Sequence, residues 1–256
     1  MVTRAFTTLL DRFLPSVPGC PQPLAVEQIR RAAIRSCERT LAWRYMPSEF
    51  RVLPGVHEYT FTKPTDTEVH AVFRALINDE PLDVLTLEQA LEQYPAWADL
   101  YSGESFATVW SETPPASWGD LEYNEDLFNE GSAYVLPAAI VAAGGEPRAI
   151  TQLTPEKYIL LPLPDADKVY MLRMFYALKP SRSATGMDEA VFNDLEDAIL
   201  HSALQETLVM PNVSWADRTL ATYHAKQYLF YITERRARAN LTNSRGSLRV
   251  RGDQFA

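Results

Sequence analysis

The apolar positions change their spacing several times along the chain. After a proline-rich lead-in, Pro15-Ser-Val-Pro-Gly-Cys-Pro-Gln-Pro23, the residues Val26, Ile29, Ala33, Cys37 and Leu41 recur at three and four positions, with Arg30, Arg31, Arg35 and Glu38 on other faces. That spacing predicts an amphipathic helix of about five turns, Val26 to Tyr45, stopped downstream by Pro47. From Arg51 the pattern turns to β-branched and aromatic runs: Tyr59–Phe61, Val69–Ile77, Leu82–Thr86, Phe106–Trp110, Tyr158–Leu161 and Val169–Leu178. Asn78-Asp-Glu-Pro81 between two of these runs predicts a hairpin, and Leu87 to Tyr94 a short helix. Helical spacing returns at Asp188, with Phe192, Leu195, Ile199, Ser202, Ala203 and Leu208 in one stripe and acids in the first turn, where the macrodipole favours them. Ser214 with Asp217 reads as the start of a last helix, running to about Asn240. Its predicted apolar face is Ala216, Leu220, Tyr223, Gln227, Phe230 and Tyr231.

Strands flanked by one helix before and two after, without βαβ alternation, predict an α+β fold. The expected organisation is a discontinuous helical bundle (1–50 and 185–240), an inserted β-sandwich- or barrel-like domain (51–184) and an extended C-terminal arm (241–256). The first helix should pack against the two C-terminal ones, with Ile29, Ala33, Leu41, Leu195, Ile199, Leu220, Tyr223 and Phe230 buried together.

Composition narrows the function classes. With 256 residues, 46% apolar and 22% charged, the chain has ample material for a core and is neither disordered nor fibrous. Eighteen prolines against ten glycines imply stiff connections, since each ring fixes φ. A net charge of −9 argues against wrapping duplex DNA over the whole surface. The longest apolar stretch, around Ala138–Ala143, is too short for a membrane span, and no signal-peptide pattern opens the sequence. Cys20 and Cys37 are too few for a disulfide framework or a four-ligand zinc site; burial as a small apolar residue is the expected role of Cys37.

Charge is segregated at two places. Glu112, Asp120, Glu122, Glu125, Asp126 and Glu130 lie in a stretch without Lys or Arg, a loop expected to face a partner or a lumen. From Arg235 onward six arginines meet one acid, Asp253. In the arm, Leu248, Val250 and Phe255 alternate with Arg249 and Arg251, the period of an added strand; together with Arg245 they are the expected contact to a neighbour.

Catalytic patterns are weak. Gly103-Glu-Ser-Phe-Ala107 falls one glycine short of a nucleophile elbow and precedes a strand rather than a helix. A hydrolase using Ser105 would need His201 or His224 as base and Asp165 or Asp167 as orienter, and no spacing links them. The four histidines stand apart, without ligand spacing for zinc, and no phosphate-binding glycine motif occurs. The acidic stretch lacks the frame of a calcium loop, and Arg251-Gly-Asp253 has no extracellular context. No catalytic, cofactor or metal residue is assigned; an enzyme using Ser105 and a stand-alone binding module remain the alternatives to a structural role.

Several segments resemble one family. Leu9-Leu-Asp-Arg-Phe-Leu-Pro15, Pro18-Gly-Cys-Pro-Gln-Pro-Leu-Ala25 and Ile29-Arg-Arg-Ala-Ala-Ile-Arg-Ser-Cys-Glu-Arg-Thr-Leu-Ala-Trp43 are similar to the opening of head-to-tail adaptor (connector) proteins of tailed bacteriophages. The similarity continues in Gly145-Glu-Pro-Arg148, in Ile159-Leu-Leu-Pro-Leu-Pro-Asp165 and in the C-terminal helices with the ending Val250–Ala256. The resemblance implies a structural virion protein without enzymatic activity, usually a ring of twelve copies between the portal vertex and the tail or nozzle. It implies a homo-oligomer that binds the portal protein through its arm and lets double-stranded DNA pass without specific binding. An acidic lumen would repel phosphates and let the genome slide.

Overall fold

The structure is a computed structural model and describes residues 2–56, 58–94 and 145–241. In chain order the elements are β1 (Thr3–Ala5), a 3-10 turn (Phe6–Leu9), α1 (Leu10–Phe13), a second 3-10 turn (Leu14–Ser16), α2 (Gln22–Thr40), β2 (Arg44–Tyr45), β3 (Phe50–Val52), β4 (Tyr59–Thr60), β5 (Thr67–Ile77), β6 (Glu80–Leu85) and α3 (Leu87–Gln93). From Ala149 onward come β7 (Ala149–Gln152), β8 (Lys157–Leu161), β9 (Tyr170–Pro180), β10 (Gly186–Asp188), α4 (Glu189–Leu208) and α5 (Arg218–Leu241). The fold is α+β. The described residues form two compact units: one holds those up to Arg44, Pro64–Glu68 and those from Ala177 onward; the other holds those within Tyr45–Lys63 and Val69–Tyr176.

In the helical unit, α4 packs against both α2 and α5, and α2 also meets α5. Helix α2 begins with Pro23 in its first turn, where a missing N–H is harmless, and buries Ala25, Gln28, Ile29, Ala32, Ala33, Ser36, Cys37 and Thr40. Small residues at these positions let neighbouring backbones come close. The helix ends at Thr40, seven residues before Pro47, contrary to the expected reach to Tyr45. Leu41 takes a left-handed φ of 53° and its N–H donates to the Cys37 carbonyl, so a C-terminal cap, not the proline, stops it. Leu41 is only half-buried for the same reason. Cys20 and Cys37 are both free thiols, and Cys37 is fully buried in apolar surroundings that push its pKa up.

The lead-in before α2 contributes more than stiffness. Phe6, Leu9, Phe13 and Val17 have no exposed surface, although the first three lie in elements only four residues long and Val17 just follows a turn of three. They hold the N-terminal segment in the helical core, where β1 pairs with β10 in a two-stranded antiparallel ribbon (Thr3 opposite Asp188, Ala5 opposite Gly186). A Cβ on Gly186 would lie 2.4 Å from the Arg4 carbonyl oxygen, so glycine is what permits this approach. Asp188 then caps α4, its carboxylate accepting from the N–H groups of Ala190 and Val191 at 3.1 and 3.3 Å.

The sheet is mixed, with strand order β2-β9-β5-β6-β7-β8-β4 and β3 also on β9. Strands β3 and β9, β4 and β8, β5 and β6, and β7 and β8 pair antiparallel, while β6 and β7 run parallel (Val84 opposite Ile150). The sheet curls into a half-barrel: Val69 of β5 donates its N–H to Pro155 and accepts from Gln152 Nε2, although β6 and β7 lie between β5 and β8 in strand order. The expected hairpin forms with a shorter turn, Asn78-Asp79, both at positive φ (48° and 67°) as a type I′ connection requires, and Pro81 already belongs to β6. Asn78 also binds β9, donating through Nδ2 to Val169 and accepting from the Met171 N–H. Thr86 and Gln89 close a capping box at the start of α3, which packs Ala90 on Ala149, Ile159 and Leu161. Inside the curl, Phe61 lies between Tyr158 (4.7 Å) and Tyr176 (5.3 Å), and the Tyr176 hydroxyl donates to the Thr62 carbonyl. The predicted strand Phe106–Trp110 lies outside the described residues.

Candidate functional site

Most of the residues singled out from sequence lie outside the described residues: Ser105, the acidic stretch Glu112, Asp120, Glu122, Glu125, Asp126 and Glu130, and the arm residues Arg245, Leu248, Arg249, Val250, Arg251 and Phe255. Asp165 is occupied within the sheet unit, accepting from the Tyr170 hydroxyl at 2.9 Å and the Asp167 N–H at 3.2 Å. Two of the residues considered as general bases, His201 and His224, do come together, and they do so with each other.

Helices α4 and α5 pack antiparallel. His201 of α4 meets His224 of α5, Ala198 packs on Tyr228 and Ile232, and Asp194 binds Arg235 near the far end. The turn between the helices is fixed by the Asp217 N–H donating to the Leu208 carbonyl, while the Asp217 carboxylate accepts from the Leu220 N–H at 2.9 Å. Asp217 is therefore the N-cap of α5. This corrects the expectation that Ser214 starts the helix: the chain needs the residues from Val209 to Asp217 to reverse direction, and the cap falls where the reversal ends.

The buried face of α5 also differs from the expected one. Ala221, His224, Tyr228 and Ile232 point inward, whereas Tyr223 and Phe230 are 52% and 64% exposed and Leu220 is half-buried. Apolar and aromatic residues lie all round this helix, so spacing alone offered two phases. The one chosen by packing is the one whose small Ala221 lets the helix approach α4 closely. The other face leaves a stripe of Thr219, Tyr223, Lys226, Phe230 and Thr233, with Leu229 (56% exposed) beside it, at the three- and four-residue spacing that fits a second helix. Basic side chains Arg218, Arg236 and Arg238 flank it.

Behind that stripe, His201 Nδ1 and His224 Nδ1 are 2.7 Å apart, with His224 7% exposed. Tyr231 stacks on His201 (5.5 Å between centroids, 12° between planes), and Tyr223 sets its edge against both imidazoles. Burial pushes both histidines below their ordinary pKa; for His201 the neighbouring His224 and Arg12 add to this and Asp197 opposes it. Asp197 is itself held by Arg12 at 2.9 Å. Nothing in the spacing of two histidines 23 residues apart announces this pair; it exists because the reversal at Asp217 sets the helix register.

Among the described residues no group of three or more His, Cys, Asp or Glu is placed to hold a metal ion, and no helix is long and apolar enough to cross a membrane. No protein-family model matches the chain, and no curated protein is similar to it.

Proposed function

We propose that this chain is the subunit of a homo-oligomeric ring, a structural virion protein of the head-to-tail adaptor kind that joins a phage portal to the tail and lets the genome pass. The observation that carries the reading is the bare stripe on α5. A helix with one face taken by α4 and α2 and with Tyr223, Leu229 and Phe230 left exposed on the other is built to be covered twice, as at a subunit interface. The segments resembling phage adaptors include α2, whose wide face of small buried residues makes a rigid support for α4 and so for α5. In this reading α2, α4 and α5 form the ring body, the half-barrel is an insertion, and the residues after Leu241 act as an arm toward the portal protein or a neighbouring copy. The acidic stretch from Glu112 to Glu130 faces a partner or the lumen, and the chain carries out no catalysis.

Two-dimensional class averages of the purified full chain test this directly. Closed rings of about twelve subunits are expected, and a preparation that stays monomeric or dimeric at high concentration refutes the ring. Deleting the residues after Ser244 should leave melting of the subunit unchanged and abolish attachment to portal-bearing capsids; infectious particles assembled from the truncated protein would remove the arm from the proposal. Esterase turnover abolished by Ser105→Ala would replace the structural reading with an enzymatic one.

A further inference from the structure

We propose that His201 and His224 form a proton-operated latch that holds α5 on α4 at neutral pH and releases it on acidification. The geometry allows little else. Two Nδ1 atoms at 2.7 Å share one proton, so one ring donates Nδ1–H and the other accepts with its Nδ1 lone pair and carries its own proton on Nε2. A first added proton goes to the free Nε2 of the donor ring, and the bond survives between an imidazolium and an imidazole. A second can go only to the accepting Nδ1. That consumes the lone pair, turns two N–H groups toward each other and sets two cations side by side, so the rings must part.

The anion that acts on the pair, Asp197, is not free to move onto a second charge. Each carboxylate near the pair is already bound to an arginine. Asp197 is held by Arg12 of α1, Glu196 by Arg12 and by Arg4 of β1, and Glu206 by Arg35 of α2. From α5 the neighbours are the aromatic rings of Tyr223 and Tyr231, and one turn on the Tyr228 ring already carries the guanidinium of Arg39 from α2. At the far end Arg235 occupies Asp194.

The sign of the effect follows. The packed form resists protonation while a freed imidazole titrates near its ordinary value of 6.5, so the opened helix binds more protons below that value. Docking is complete above about pH 6.5 and weakens as pH falls below it, by up to about tenfold per proton per pH unit. With His224 gone as an anchor, the described inner face of α5 is left with buried Ala221, Tyr228 and Ile232 and the ion pair of Arg235 with Asp194, so this helix opens before α2 and α4 separate. The latch works within a single chain and needs no neighbouring subunit.

Hydrogen exchange on the full chain at pH 7.5 and 5.5, corrected for intrinsic rates, tests it. Protection of peptides within 221–232 should fall at least about tenfold relative to peptides within 29–37, and a His201→Gln/His224→Gln double variant should keep the same relative protection at both pH values. Equal loss in the two regions of the wild-type chain, or an equal pH response in the double variant, overturns the latch. Should the double variant fail to fold, nitrogen-15 spectra of the wild-type imidazoles decide. One Nδ1–H and one Nε2–H tautomer titrating in two separated steps below the ordinary range support it, and two independent titrations at the ordinary value refute it.

Discussion

Replacing Ile199 by Ala probes the centre of the helical unit. Ile199 has no exposed surface and sits in α4, the helix that packs on both α2 and α5. The substitution removes three buried carbons, about 0.8 kcal/mol each in transfer free energy. The hole they leave cannot close, because α4 is held on both flanks and at its cap, so a cavity cost adds to the transfer loss for a total of about 2–5 kcal/mol. The paired control is Phe230→Ala in α5. It removes a larger side chain, but one that is 64% exposed, so the change in stability of the monomeric chain should stay within about 0.5 kcal/mol. Urea unfolding followed by far-ultraviolet circular dichroism reads both, as a shift in midpoint at unchanged slope. An Ile199→Ala cost below about 1 kcal/mol, or a Phe230→Ala cost as large as that of Ile199→Ala, would refute the assignment of inner and outer faces. In the ring reading Phe230→Ala should instead raise the concentration at which oligomers form in light scattering.

Three further outcomes follow from local geometry. Gly186→Ala forces a methyl group against the Arg4 carbonyl and should cost about 1–3 kcal/mol, with faster proteolysis near the N-terminus as β1 leaves β10. Asp217→Ala should lower stability by about 1 kcal/mol through loss of the α5 cap, while Ser214→Ala should be close to neutral; thermal melts of the two variants separate the assignments. Thr86→Ala breaks the capping box of α3 and should cost a similar ~1 kcal/mol, read as earlier exchange of the Gln89 amide.

Much of the framework was legible in the sequence because it rests on contacts between near neighbours. Asp188 caps α4 through N–H groups two and three residues ahead. The Asn78-Asp79 turn needs only residues that tolerate positive φ, and the α2 stripe through Ile29, Ala33 and Cys37 is buried as its spacing implies. Where a turn or cap competed with a stronger-looking signal, tertiary structure decided. Leu41 in the left-handed region ended α2 well before Pro47, and Asp217 rather than Ser214 capped α5. Phe6, Leu9, Phe13 and Val17 gave too short a pattern to read, because their elements are stabilised by the core they enter and not by their own hydrogen bonds. The face of α5 and the His201–His224 pair were out of reach of any spacing argument. A helix with large apolar and aromatic residues on more than one face has no preferred rotation until another helix presents the surface it must fit. The two imidazoles meet only because the chain reverses over a fixed number of residues between Leu208 and Asp217, which sets one helix in register with the other.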